Sequence, residues 1–161
     1  MPTPINVSSG TKAILALGNV VSQADITGSN NALIMPYLQD ITINNSTGVF
    51  RWKTLDNTAE SVATTPATNS LAMNIVLDEA TFFGDGANTL NSVARNGIFG
   101  ASKNKTEVFF EIGIEGSGSG SRTISGKGYL SGLAPTVNMD APVFVSSLTL
   151  EVDGDYTVST V

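Results

Sequence analysis

The sequence predicts a mostly β protein, with antiparallel β-sandwich or barrel-like sheets and one short α-helix. Hydrophobic residues make up 41% of the chain and charged residues only 14%. Gly, Ser, Thr and Asn are plentiful, and this balance suits turn-rich β structure better than helix bundles. Several segments alternate apolar and polar residues, whereas a single segment has helical periodicity. A chain of 161 residues is long enough to bury a core, so residues 1–161 are expected to form one domain.

The first third of the chain predicts an arm and two strands. Residues 1–11 contain two prolines and a Ser-Ser-Gly run, so they are interpreted as an extended N-terminal arm. The apolar run at residues 13–17 predicts a first buried strand. Residues 32–35 predict a second strand, which stops at Pro36 because proline cannot donate to a strand ladder.

A hairpin followed by a long loop is expected next. Ile41 and Ile43 alternate with polar neighbours, and Phe50 and Trp52 do the same after the turn-forming residues 44–48. Residues 56–70 are rich in Thr and Ala and contain a proline, so they are interpreted as a long loop. Loops of this length are uncommon unless they serve function or contacts.

A strand and the predicted helix follow. Apolar residues of residues 71–77 fall on one face at a period of two, which predicts a strand. Between residues 88 and 99, Leu90, Val93, Ala94 and Ile98 have the spacing of one apolar helix stripe, with glycines near its end as stop signals.

The C-terminal third predicts strands throughout. Residues 106–115 and 144–152 both alternate, residues 116–121 form a Gly/Ser connector, and residues 122–133 resume extended structure. The segment Asp153-Gly154-Asp155 is interpreted as a hairpin turn leading into a last short strand.

An acidic stripe runs along the strand at residues 106–115. Glu107, Glu111 and Glu115 lie on the face opposite the apolar residues of that strand. Three interpretations remain open: a solvated sheet face, the wall of a channel, and a cation site. The cation site is least favoured, because calcium needs many convergent oxygens.

The composition disfavours most kinds of enzyme. The chain contains no histidine and no cysteine, so it lacks the usual general base, the common nucleophile pairs and the preferred zinc ligands. The net charge of −6 disfavours tight binding to a nucleic-acid backbone. We expect no enzymatic activity, no cofactor, no metal and no membrane span.

From Leu71 onward the order of parts resembles that of the major tail tube proteins of tailed phages. The segments that carry the resemblance are the helix at 89–96 leading into the strand at 106–112, the segment Gly128-Tyr129-Leu130-Ser131-Gly132-Leu133, and the closing strand at 148–157. The resemblance covers a little over half of the chain.

The resemblance implies a structural virion protein whose sheets are shared between subunits. Six subunits would form a ring, and stacked rings would form a tube through which DNA passes without specific binding. Partners would include other tail proteins such as sheath or tape measure. The protein would be assembled in the host cytoplasm and located in the virion tail.

Two sets of site residues follow from the resemblance. Glu107, Glu111 and Glu115 are candidates for the acidic lumen wall. The N-terminal arm and the long loop would reach neighbouring rings. The candidate inter-ring residues are Pro2, Pro4, Asp56, Thr58, Glu60 and Pro66.

Two other functions compete with this interpretation. One is a β-sandwich that binds a receptor or carbohydrate, or that decorates a capsid. The other is a glycoside hydrolase with two carboxylates facing each other across a cleft. No pair of acidic residues in the sequence is singled out for that role.

Overall fold

The computed structural model describes residues 14–19, 33–35, 38–56, 59–84, 86, 93–114, 122–137 and 143–160. The strands are β1 (Ile14–Asn19), β2 (Leu33–Ile34), β3 (Leu38–Trp52), β4 (Ser61–Leu77), β5 (Glu107–Ile114), β6 (Arg122–Thr136), β7 (Phe144–Val152) and β8 (Thr157–Thr160). The helices are α1 (Glu79–Phe83) and α2 (Val93–Lys103). Within these residues no helix is long and apolar enough to span a membrane.

The described strands form one antiparallel sheet in the order β2-β1-β5-β6-β7-β4-β3, and β8 pairs with β6. Residues from both ends of this order share one buried core, since Leu33 and Met35 near β2 cluster with Leu71 and Ile75 of β4. The sheet therefore curves around its core in a barrel-like manner. The prediction of a mostly β, antiparallel fold is confirmed.

Strict alternation builds the core from the central strands. Val108, Phe110 and Ile112 of β5 are fully buried, and Leu148 and Leu150 of β7 meet them from the same face. Burying a side chain of this size stabilises a fold by about 1.5–3 kcal/mol. The strands predicted at 106–115 and 144–152 are thus confirmed within one residue of their ends.

Two helices of the described residues cover the core, although the sequence predicted one. The helix α1 begins where Asp78 accepts a hydrogen bond from the backbone of Thr81. In α2 the backbone kinks at Gly97, whose φ of +64° favours glycine. A Cβ at Gly97 would also collide with the backbone oxygen of Phe82, so this glycine allows α1 and α2 to pack closely. The predicted helix at 88–99 begins outside the described residues, and α2 ends four residues later than predicted.

The predicted hairpin with a turn at residues 44–48 is wrong. β3 continues through these residues without reversal and pairs with β4 from Leu38 to Trp52. Each Asn, Ser and Thr among the turn-forming residues pairs with a residue of β4. The chain reverses later, between the end of β3 at Trp52 and the start of β4 at Ser61.

The predicted loop at residues 56–70 is also wrong over most of its length. Residues from Ser61 onward belong to β4, a strand of 17 residues. Two residues of β4, Thr65 and Pro66, face the single residue Gly48 of β3, so Pro66 lies at a β-bulge. A bulge needs no ladder donor at that position, and proline is therefore tolerated there.

The segment Asp153-Gly154-Asp155 is not a hairpin turn, which corrects a further expectation. β7 and β8 do not pair with each other in the described structure. Both pair antiparallel with β6, β7 at residues 128–136 and β8 at residues 122–125. The two strands therefore follow the same side of β6, and residues 153–156 form an excursion between them.

Candidate functional site

One face of the sheet turns away from the core and carries most of the acidic side chains of its strands. Cross-strand pairing places Glu107 beside Tyr129, Tyr129 beside Glu151, and Glu151 beside Ser70. The same face continues across the sheet to Asp40, which accepts hydrogen bonds of 2.9 and 3.1 Å from the amide of Asn74. We call it the outer face. Its charged residues in the described strands are Asp40, Glu107, Glu111, Lys127 and Glu151.

The ammonium of Lys127 bridges two carboxylates at one side of the outer face. Its Nζ atom lies 3.3 Å from Glu107 and 3.2 Å from Asp153. Hydrogen bonds to Asp153 and then to Glu107 raise the pKa of Lys127 above its ordinary value. The bridge neutralises part of the acidic stripe, so the outer face remains acidic but not uniformly so.

The structure places two of the three predicted lumen residues. Glu107 and Glu111 lie on the outer face, two pleats apart on β5, and both are half-buried. Phe109 lies between them on the same face and is also half-buried. Glu115 lies outside the described residues. The stripe is therefore a part of a wider acidic face, to which Glu151 and Asp40 contribute from distant strands.

The distal part of the β3–β4 ribbon projects from the sheet as an arm, residues 46–68. β7 pairs with β4 only from Ser70 to Leu77, so beyond Ser70 the ribbon has two strands alone. None of the described side chains of the arm is buried. At about 3.3 Å per residue, the eight residues of β4 in the arm extend roughly 25 Å.

Apolar side chains are exposed near the tip of the arm. Phe50 and Trp52 stack with ring centroids 5.7 Å apart, and they are 59% and 40% exposed. Leu55 at the reversal is fully exposed. On the other face of the ribbon Arg51 forms an exposed ion pair of 3.4 Å with Glu60. Exposed apolar residues grouped in this way commonly mark a contact with another molecule.

Three of the predicted inter-ring residues lie on this arm. Asp56 is in the reversal, Glu60 pairs with Arg51, and Pro66 is at the bulge, all of them exposed. Thr58, Pro2 and Pro4 lie outside the described residues. The arm replaces the predicted loop as the element that carries these side chains.

The root of the arm is held by residues that the sequence did not indicate. The amide nitrogen of Asn69 donates to the carbonyl of Gly154 at 2.9 Å and to Asp155 at 3.2 Å. The hydroxyl of Tyr156 lies 2.8 Å from the carbonyl of Asn44 and 3.0 Å from that of Ser70. These residues are 85 to 112 positions apart in the sequence, so no local pattern could have paired them.

Among the described residues, no group of three or more acidic side chains is placed to hold a metal ion. An open cleft of about 450 Å³ lies between the excursion and the strands β3, β6 and β8. The cleft is lined by both apolar and polar side chains: Ile43, Asn45, Ile124, Asp155, Tyr156 and Val158. Asp155 is its one carboxylate in the part of the chain that the structure describes, so the cleft lacks the carboxylate pair of a glycoside hydrolase.

No family model and no curated protein matches the sequence. Among solved structures, the chain is similar to the tail of an empty GTA particle, determined by helical refinement with C6 symmetry. That match has a TM-score of 0.61 and 11% identity and covers 91% of this chain and 95% of the other. The chain is also similar to the SPP1 tail tube, a hybrid structure from solid-state NMR and cryo-EM. That match has a TM-score of 0.63 and 10% identity and covers 92% of this chain and 77% of the other.

The chain thus has the fold of phage tail tube proteins. The likeness extends over almost the whole chain, including the first half, where the sequence resemblance did not reach. At 10–11% identity the likeness concerns the fold. The resemblance inferred from the sequence is confirmed at that level.

Proposed function

We propose that this protein is a tail tube subunit that assembles into stacked rings of six and forms a conduit for DNA. The observation that carries the proposal is the fold shared with two phage-type tail structures over nine-tenths of the chain. On this proposal the protein acts as a structural component of the virion tail and has no enzymatic role. The host cytoplasm would be the place of assembly.

The edges of the sheet support assembly through shared strands. β3 is a 15-residue strand at one end of the strand order. One edge of β3 pairs with β4, and no described strand pairs with the other edge. An open edge of this length is an aggregation hazard unless another chain covers it. A ring in which each subunit covers the edge of the next removes the hazard, because a closed barrel has no edges.

The outer face supplies a suitable channel wall. Its strands carry four carboxylates and one ammonium among Ser, Thr and Asn side chains in the described residues. A wall of net negative charge repels phosphate groups, and DNA then slides without adhering. We therefore propose that Glu107, Glu111 and Glu115 face the lumen, together with Asp40 and Glu151.

The arm would contact a neighbouring ring. Its exposed Phe50, Trp52 and Leu55 provide apolar area that a stacked subunit would bury, and its inter-ring residues would be Asp56, Thr58, Glu60 and Pro66. Pro2 and Pro4 would contribute from the N-terminal arm. Sheath or tape measure proteins are the proposed further partners.

Electron microscopy of the purified protein over a range of concentrations tests the proposal, with light scattering alongside. We expect hollow rings that lengthen into tubes as the concentration rises. A monomer or small closed oligomer at every concentration would contradict the proposal and favour a decoration or receptor-binding protein. A surface-binding module has no need to polymerise.

A further inference from the structure

The excursion at residues 153–156 has a path that is fixed by strand pairing on both sides. Val152 of β7 pairs with Gly128 of β6, and Thr157 of β8 pairs with Ser125. The four residues of the excursion thus lie opposite only two residues of β6, 126 and 127. They are too many for regular pairing, so the chain bulges away from β6 between β7 and β8. Gly154, with a φ of +91°, provides the positive dihedral angle that this path requires.

The start of the excursion is fixed to the central sheet. The backbone nitrogen of Asp153 donates to the carbonyl of Lys127 at 2.8 Å, and the carboxylate of Asp153 pairs with the ammonium of the same lysine. The ring of Tyr156, at the other end, packs edge-on against the fully buried Phe110 with centroids 6.3 Å apart. Both ends are therefore attached to the β5–β6 region.

The excursion contacts the ribbon at the place where the ribbon leaves the sheet. Ser70 is the first residue of β4 that pairs with β7, and Asn44 is its partner on β3. The Tyr156 hydroxyl lies within hydrogen-bond distance of the carbonyls of both residues. Asn69, the residue before Ser70, is 2% exposed. Its side-chain amide donates hydrogen bonds to the carbonyl of Gly154 and to the carboxylate of Asp155.

A two-stranded ribbon has little rigidity of its own. Isolated hairpins are marginally stable in water, and the arm buries none of its described side chains. The direction of the arm therefore depends on contacts at its root. In the described residues, the side-chain hydrogen bonds of Asn69 and Tyr156 join this root to the excursion at residues 153–156.

We propose that Asn69 and Tyr156 form a clamp that fixes the direction of the arm relative to the domain. They are positioning residues for assembly. This inference rests on the proposed function, because a fixed direction matters if the arm must meet a neighbouring subunit. Burial raises the pKa of the Tyr156 phenol, so the hydroxyl keeps the proton that it donates to the root.

The first test measures the direction of the arm in the isolated subunit. The chain has no cysteine, so Leu55→Cys at the arm tip and Lys103→Cys at the end of α2 give two unique sites for spin labels. Pulsed electron spin resonance on dilute protein then reports the distance distribution between them. We expect one narrow distribution in the parent and a broad one after Tyr156→Phe or Asn69→Ala.

Ile112→Val is the matched control, since it removes a buried methyl group from β5 and leaves the clamp intact. We expect it to lower stability and to keep the distribution narrow. An equally narrow distribution in the Tyr156→Phe variant would overturn the inference, as would equal broadening in Ile112→Val.

The second test measures assembly by sedimentation. Tyr156→Phe should raise the concentration needed for assembly by about fivefold to tenfold, the effect of one ordinary hydrogen bond. Tubes that form equally well with and without the clamp would overturn its role in assembly and leave the proposed function standing. A broadened arm in a protein that never forms tubes would support the clamp and contradict the proposed function.

Discussion

The two halves of the β3–β4 ribbon share one pair of strands but have opposite surroundings. In the proximal half Leu71, Met73 and Ile75 are buried, whereas in the arm every described side chain is exposed or half-exposed. Pairing of β3 with β4 continues through both halves, with one register irregularity between Leu38 and Asp40 in the proximal half and one at the bulge at Pro66 in the arm. The arm therefore takes its shape mainly from strand pairing, because it has no buried side chains among the described residues, and its stability depends on contacts at its root and with partners.

The largest expected difference between the halves concerns the stability of the subunit. Leu71→Ala should lower the free energy of unfolding by about 2–5 kcal/mol, because it leaves a cavity in the core. Val62→Ala truncates an exposed apolar side chain in the same strand. It should change the free energy of unfolding by about 0.5 kcal/mol or less. Urea denaturation of the dilute subunit measures both. Similar losses in the two variants would show that the arm is buried in the isolated subunit.

The next expected effect concerns assembly. Trp52→Ala should leave the unfolding free energy of the dilute subunit nearly unchanged but raise the assembly concentration by about 30-fold. An aromatic anchor at an interface contributes about 2 kcal/mol or more. Thr64→Ala, on the other face of the arm, is the control for general disturbance of the ribbon. Normal assembly by Trp52→Ala would exclude the tip from the contact.

The smallest expected effect is a loss of stability at alkaline pH. Burial raises the pKa of Tyr156 above its ordinary value of 10.0, and hydrogen bonds to Asp153 and Glu107 raise that of Lys127. A group whose pKa is higher in the folded state than in the unfolded state stabilises the fold while it is protonated. This stabilisation is complete at a pH below the pKa of the unfolded state, and it is lost as the pH rises through the pKa of the folded state. The urea midpoint should therefore fall above about pH 10. Tyr156→Phe should make this fall shallower, and an unchanged slope would contradict the burial of the phenol at the root.

Alternation predicted the central strands well, because there the apolar residues are large and the polar residues distinct. In β5 and β7 each core position holds Val, Phe, Ile or Leu, with one small exception in β7, Ser146. The same reasoning failed in the arm, because Thr and Ala at residues 63–65 and a proline at 66 are typical of a loop. Cross-strand pairing with β3 and the bulge overrode these local preferences.

Other features were beyond the reach of the sequence for physical reasons. The helix α1 has five residues, too few to display helical periodicity, although the capping Asp78 and the following Glu79 are a faint signal. The pairing of β8 with β6 and the contacts of Tyr156 with the arm root join residues far apart in the chain. The acidic stripe of β5 was visible, but its continuation through Glu151 to Asp40 depends on the strand order.

Helical cryo-EM reconstruction of the assembled protein tests the central claim most directly. We predict a tube of stacked six-subunit rings whose lumen is lined by the outer face, with Glu107, Glu111 and Glu151 pointing inward. The arm should cross from each ring to the next. A tube with this face on its exterior, or an assembly that closes without a channel, would contradict the account.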